Sequence, residues 1–307
     1  MFEDTSLSRL DKIHHPLFEE HGVQVYIKRD DLLHEHVSGN KWRKLKYNLK
    51  HARSRNLSNI LTFGGAYSNH IVATAAACKM YGFNSIGIIR GDELHANAND
   101  TLIKASEFGM KLKFITREEY RRRSDVDFLE SLSKKYQSTF VIPEGGSNAL
   151  AVRGCGELID EIDVDFDHII CAVGTGGTMA GIVSRLEPDK MALGIPVLKN
   201  AHYLEAEVKK LVKANHYKIN DNWQLFYDYH MGGYAKFNVH LIEFINQFKV
   251  DQDVQLDPVY TGKMMFALFD MIKRSRFRSG SKIIAIHTGG LQGIDGFNKT
   301  QGNLIKV

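Results

Sequence analysis

Several features that would fix a function class at once are absent from these 307 residues. Cysteine is scarce: Cys78, Cys155 and Cys171 are odd in number, widely spaced and form no CxxC pair. Neither a disulfide framework nor a cysteine-based zinc site is expected, and buried thiols in a reducing compartment are. No apolar run approaches the roughly 20 residues of a membrane helix. The opening stretch MFEDTSLSRLDKIHH lacks the apolar core of a secretory signal, so a cytoplasmic protein without a membrane partner is expected. Charge of one sign is not in excess, with 40 Lys+Arg against 36 Asp+Glu. That balance leaves no nucleic-acid footprint, and Arg121-Arg122-Arg123, following Glu118 and Glu119, reads as a solvated helix face. The paired histidines His14/His15 and His34/His36 match no HExxH or Cys/His ligand set, so no metal is expected. A Walker A loop, a GxGxxG turn and a GxSxG elbow are likewise missing.

What remains is an ordinary globular composition, 43% hydrophobic and 25% charged, long enough for one large or two modest domains. Its order is informative. VQVYIKRD at 23–30 starts like a strand, and KWRKLKYNLKHARSR from Lys41 reads as a helix with Leu45 and Leu49 four apart. NILTFGG at 59–65 is a strand running into glycines, and HIVATAAACKMYG from His70 is a helix stopping at Gly82. NSIGIIRG at 84–91, a helix from Asn99, KLKFIT, DFLESLSKKYQ and TFVIPEGG continue the alternation. HIICAVGTGG at 168–177, TMAGIVSRL and MALGIPVL repeat it. A less regular middle follows, then the helix FALFDMIKR and the strand SKIIAIHTGG. This order predicts a parallel α/β protein, in which ligands gather at the carboxyl ends of strands. Four strands end in glycine-bearing turns, FGGAYSN, PEGGSN, GTGGT and HTGG, which points to one shared site.

Three of the segments carry chemistry. GTGGT, Gly174 to Thr178, joins an apolar strand to a helix, so its backbone can approach an anion and the helix start supplies free N–H donors. A plain strand–helix turn explains it equally. SGNKWRKL at 38–45 puts Lys41 at a helix start. The positive end of the helix would lower the pKa of an amine there and favour its neutral, nucleophilic form. One surface lysine among Lys44, Lys46 and Lys50 is the plainer alternative. FGGAYSNH at 63–70 offers Ser68, Asn69 and backbone amides that suit a carboxylate, or simply a helix cap. His70 beside them reads as a structural histidine.

Taken in order, IKRDDL at 27–32, SGNKWRKL, FGGAYSNH, GTGGT, LDPVYTGK at 256–263 and HTGG at 287–290 resemble the 1-aminocyclopropane-1-carboxylate deaminase / D-cysteine desulfhydrase family. That family belongs to the tryptophan-synthase-β-like, fold-type II pyridoxal-phosphate enzymes. The resemblance implies two open, twisted parallel-sheet α/β domains with the cofactor between them: a small one at 45–150 and a large one made of 1–44 plus 151–307. It implies pyridoxal 5'-phosphate held by Lys41 as a Schiff base, with Lys41 later shuttling the α-proton. Gly174, Thr175, Gly176, Gly177 and Thr178 would bind the cofactor phosphate, Asn69 its 3′-oxygen, and Ser68 the substrate carboxylate, with a share in proton transfer. Tyr260 would act on the substrate as an acid/base or polarising group. Thr261 and Thr288 would lie by the ring nitrogen or the substrate. A homodimer acting on a small amino acid is implied too.

Within the family, deaminases carry glutamate and leucine where this chain has Thr261 and Thr288. A threonine cannot keep the ring nitrogen charged, and the weaker electron sink suits loss of a good leaving group. The expected reaction is α,β-elimination of D-cysteine, or another D-amino acid with a β-leaving group, to pyruvate, ammonia and hydrogen sulfide. Ring opening of the cyclopropane amino acid to 2-oxobutyrate and ammonia is the alternative. Another reaction on an unidentified amino acid, or a non-catalytic phosphometabolite-binding protein, comes after it. The chain departs from the family pattern at Ser38, at Ile71-Val72, in its shorter length, and at Tyr67, which replaces a glutamine in the expected substrate wall.

Overall fold

The structure is a computed structural model and describes residues 4–37 and 39–307; the departure at Ser38 lies outside them. In chain order the elements are β1 (Leu10–Ile13), α1 (Pro16–Glu20), β2 (Gln24–Lys28), α2 (Asn40–Ser54), β3 (Asn59–Gly64), α3 (Asn69–Tyr81) and β4 (Asn84–Arg90). Then come α4 (Asp100–Glu107), β5 (Lys111–Ile115), α5 (Arg117–Arg121), α6 (Val126–Lys135), β6 (Thr139–Ile142), α7 (Ala149–Asp160), β7 (His168–Val173) and α8 (Gly177–Arg185). The remainder is β8 (Met191–Pro196), α9 (Tyr203–Lys213), β9 (Trp223–Leu225), α10 (Val239–Gln252), α11 (Thr261–Lys273), β10 (Lys282–Ile286) and α12 (Gly293–Gln301).

The strands form two sheets. The larger has the order β1-β2-β10-β7-β8-β9 and the smaller β5-β4-β3-β6. Every pairing is parallel except β1 with β2. The antiparallel β1 was not expected from sequence. Its four residues carry no Gly-rich turn and only Ile13 is buried. The central strands look as parallel strands covered on both faces should: in β3 and β7 every residue but the first is buried. α3, rich in alanine, is buried over His70–Cys78 and closes on left-handed Gly82, whose N–H returns to the Cys78 carbonyl.

This topology positions the site. β10 lies between β2 and β7, so the turns after β7 and β10, GTGGT and HTGG, leave the same edge of the large sheet side by side. β3 lies between β4 and β6, so FGGAYSN and PEGGSN do the same on the small sheet. α2 runs unbroken through residues 44 and 45 and packs against both α3 and α7.

A buried ionic network fixes α2. Arg43 Nε and Nη2 donate to the two Asp30 oxygens at 2.6 and 2.7 Å, and its Nη1 and Nη2 donate to the Glu161 carboxylate at 2.7 Å each. Lys28 donates to Glu161 and to Ser8. Two largely buried cations thus meet two carboxylates with every charge paired, the condition under which such a cluster is tolerated. α7, which the sequence reading did not identify, comes so close to α2 that a Cβ on Gly154 would overlap the Arg43 carbonyl.

Candidate active site

The four glycine turns do converge. On the large sheet, Gly176 takes a left-handed conformation (φ 81°) just before α8, whose first amides then face the turn. A Cβ on Gly177 would lie 2.5 Å from Ser147 Oγ and 3.2 Å from Lys44 Nζ, so the loop is a cradle that any side chain would fill. Hydroxyls ring it: Ser147 Oγ and Thr175 Oγ1 are 2.6 Å apart, and buried Thr178 receives the side-chain amide of Asn40 at 2.9 Å. Free helix-start amides, hydroxyl donors and a lysine at a cradle without side chains are the donor set of a phosphate site.

Lys41 stands beside this cradle in the first turn of α2. Its Nζ donates to Asn40 Oδ1 at 2.9 Å, and Asn40 in turn holds Thr178. Loss of hydration, reinforced by the positive charge of Lys44, pushes the Lys41 amine down to about 7. The lowering was expected, but the expected cause was the helix dipole. Burial is the leading cause, because an ammonium loses its hydration among these side chains.

Lys44 was missed by sequence. It is buried and donates to the Gly145 carbonyl at 2.9 Å and to Ser147 Oγ at 3.0 Å, and burial lowers its pKa too. It lies three residues after Lys41, one helical turn on, and that spacing is the one sequence signal it gave. His70, as expected, is structural in part: its Nε2 lies 2.8 Å from Thr62 Oγ1, which itself donates to the Ile142 carbonyl. Nε2 therefore carries the hydrogen, and Nδ1, packed against Gly146, is a buried acceptor without a hydrogen-bond partner among the described residues. Burial first, then Lys41 and Lys44, hold His70 well below the usual histidine range.

The small sheet supplies the opposite wall. Ser68 precedes α3 as its cap residue but makes no capping bond with its side chain, so its hydroxyl is left for another partner. Asn69 reaches across to the HTGG turn: its Nδ2 lies 3.1 Å from where a Gly290 Cβ would sit and its Oδ1 3.4 Å from that of Gly293. Tyr67, 51% exposed, packs against Gly296 of α12.

Tyr260 covers Gly174, its ring 3.2 Å from a Cβ placed there. Burial pushes its phenol well above the ordinary tyrosine value, and the neighbouring Tyr234 adds to the shift. The two rings meet edge to face at 6.1 Å. Tyr234 was also missed. It follows Gly232 and Gly233, both left-handed, in the stretch that read as irregular. Thr261 is fully buried with its hydroxyl engaged twice by Asp257: it donates to Oδ1 at 2.7 Å and accepts from the Asp257 amide at 2.9 Å. Asp257 also receives the amides of Val259, Tyr260 and Thr261. The structure thus uses Thr261 to start α11. Thr288 is buried, its carbonyl accepts the Asn40 amide, and its hydroxyl makes no hydrogen bond within the described residues.

Among the described residues no group of His, Cys, Asp and Glu could hold a metal, and no helix is long and apolar enough to cross a membrane. The three cysteines are free and buried.

Residues 3–289 match the family model described as pyridoxal-phosphate dependent enzyme. The chain is 34% identical, over 91% of its own length and 92% of the relative's, to a Thermotoga maritima protein provisionally named 1-aminocyclopropane-1-carboxylate deaminase. It is 33% identical, over 89% of its length and 74% of the relative's, to a mitochondrial protein of Arabidopsis thaliana named bifunctional D-cysteine desulfhydrase/1-aminocyclopropane-1-carboxylate deaminase. Among solved structures it is similar to an ACC deaminase homologue, with a TM-score of 0.85 and 29% identity over 97% of this chain and 94% of that one.

Proposed function

This chain belongs to the pyridoxal-phosphate dependent enzyme family, and from that premise we propose that it eliminates the β-substituent of D-cysteine or a related D-amino acid, giving pyruvate, ammonia and hydrogen sulfide. The residues fit the cofactor. Lys41 would hold it through Nζ. Gly174 to Thr178 with the start of α8, supported by Ser147 and Lys44, would take the phosphate, while Asn69 would meet the ring oxygen and Thr288 the ring-nitrogen end. When bound, pyridoxal phosphate supplies an electron sink for the charge developing at the substrate Cα.

The observation that carries the reading is the Lys41 amine, brought down to about 7 by burial and held against the cradle by Asn40 and Thr178. A lysine of ordinary pKa would be almost wholly charged at pH 7 and would neither capture a carbonyl nor accept a proton. Ser68 and the amides of the 65–69 loop bind the substrate carboxylate and fix which face of Cα points at Lys41. Lys41 Nζ takes the α-proton. Tyr260, kept protonated by burial and Tyr234, donates to the substrate; Tyr67 forms the rim of the substrate pocket. Neither Thr261 nor Thr288 brings a carboxylate to the ring nitrogen, and the carboxylate nearest Thr261, Asp257, is occupied by the first amides of α11. That favours elimination of a good leaving group over ring opening.

The bifunctional name of the Arabidopsis relative keeps 1-aminocyclopropane-1-carboxylate deamination as the second reading. Protein loaded with cofactor and offered each substrate separates them: pyruvate and sulfide from D-cysteine support the first, whereas 2-oxobutyrate from the cyclopropane acid without sulfide from D-cysteine replaces it by the second. The proposal extends to a cytoplasmic homodimer, and to a division into a small domain over 45–150 and a large one over 1–44 plus 151–307, each built on one sheet.

A further inference from the structure

Arg90 is the one residue of β4's carboxyl end that the reading above leaves without a task. β4 pairs with β3 so that Ile89 stands opposite Gly64, which brings Arg90 to the end of the FGGAYSN loop opposite from Ser68. Its Nη2 lies 3.6 Å from where a Gly65 Cβ would be. The guanidinium sits 5.8 Å from the centre of the Tyr120 ring.

Three carboxylates of the surrounding elements are already taken. Glu144 receives the Tyr120 hydroxyl at 2.7 Å and Arg123 Nε at 2.6 Å. Glu93 is paired with Arg117 at 2.8 Å, and Asp257 is bound by α11. Among the described residues no carboxylate pairs with Arg90, which is exposed. An unmatched guanidinium beside Gly65 is a receptor for an oxyanion, and it lies one loop-length from the place proposed for the α-carboxylate.

We propose that Arg90 is a specificity residue that receives an anionic β-substituent, so that amino acids with a sulfate or phosphate ester at Cβ are substrates of the same site. The proposal rests on the elimination reading for its chemistry. With D-serine O-sulfate, the Cα–H bond breaks and its proton passes to Lys41 Nζ. The electron pair it leaves becomes the Cα–Cβ π bond, and the Cβ–O bond breaks with its pair departing on sulfate. Water then hydrolyses the enamine product to pyruvate and ammonium, so one substrate and one water give pyruvate, ammonium, sulfate and a proton. The departing hydrosulfide of D-cysteine meets the same guanidinium.

The test compares kcat/KM for D-serine O-sulfate and for β-chloro-D-alanine in the cofactor-loaded enzyme and its Arg90→Gln and Arg90→Lys variants. Arg90 is exposed, so neither change threatens folding. The ratio of the two values is expected to fall on the order of 10- to 100-fold in Arg90→Gln, the loss of one charge-assisted contact, with part recovered in Arg90→Lys. Keto acid from both compounds with an unchanged ratio in Arg90→Gln overturns the proposal and leaves the elimination reading standing. A cofactor absorbance that D-serine O-sulfate perturbs at lower concentration than β-chloro-D-alanine does, with that preference lost in Arg90→Gln and no keto acid from either, upholds Arg90 and overturns the elimination reading instead.

Discussion

Lys41 and Lys44, one turn apart on α2, repel each other inside the protein, and that repulsion adds to lost hydration in bringing Lys41 down to about 7. Lys44 is fixed on the Gly145 carbonyl and Ser147 Oγ, so the two amines cannot separate by swinging apart. One amine serves the cradle, and its charge adds to the burial that lowers the other.

Capture of pyridoxal phosphate by cofactor-free protein therefore rises with pH through a midpoint of about 7, as neutral Lys41 accumulates. Lys44→Met removes a repelling charge, so the midpoint moves upward, and stopped-flow absorbance across pH follows it. Stability changes in the same sense. A lysine with a folded pKa of about 7 and an ordinary value of 10.5 binds fewer protons folded than unfolded in that window. Its contribution to the stability of the cofactor-free protein thus increases as pH rises from about 7 towards 10.5.

Replacing Gly177 by alanine puts a methyl group 2.5 Å from Ser147 Oγ and 3.2 Å from Lys44 Nζ. Overpacking of this kind costs about 1–3 kcal/mol. Because the methyl occupies the cradle, the loss falls on cofactor affinity, which should weaken roughly 10- to 100-fold. Equilibrium dialysis against free cofactor measures it, while the far-ultraviolet circular dichroism stays that of the parent.

Arg43→Met leaves Asp30 and Glu161 facing each other and Lys28 without the guanidinium between them. Breaking a buried network from one side costs about 3–5 kcal/mol. Denaturant unfolding of the cofactor-free protein should show that loss. A double change that also removes the charge of Asp30 should recover part of it.

Tyr260→Phe should lower kcat by about 10²- to 10⁴-fold, the range for loss of a positioned proton donor, with bound cofactor retained. Tyr234→Phe removes the largest of the neighbours that raise the Tyr260 phenol beyond what burial does. The basic limb of the kcat profile should move to lower pH in that variant.

The parts of the site that the sequence showed are those where a local pattern and the chemistry coincide. β7 followed by GTGGT and α8, or β10 followed by HTGG, announce themselves because an apolar strand, a glycine turn and a helix are contiguous in the chain. Lys41 was legible from Gly39-Asn40 before it. Lys44 was not, because its neighbour Lys46 on the same helix makes an ordinary ion pair with Glu157; packing of α7 and the PEGGSN loop decides which lysine is buried. α7 escaped notice because Gly154 and Gly156 look like helix breakers. In the fold they are what lets α2 and the Arg185 side chain approach. Tyr234 lies between helices in a loop with no periodicity at all. The run Arg121–Arg123 was half legible: Arg122 points to solvent, but Arg123 turns inward to Glu144 and the Tyr120 ring.

The central claim, that Lys41 carries the cofactor, is tested most directly by reducing the loaded protein with borohydride and mapping the pyridoxyl mark by peptide mass spectrometry. The account predicts the mark on Lys41, and loss of the visible band near ~420 nm in Lys41→Ala. A mark on Lys44 or any other lysine, or a band that survives unchanged in Lys41→Ala, contradicts it.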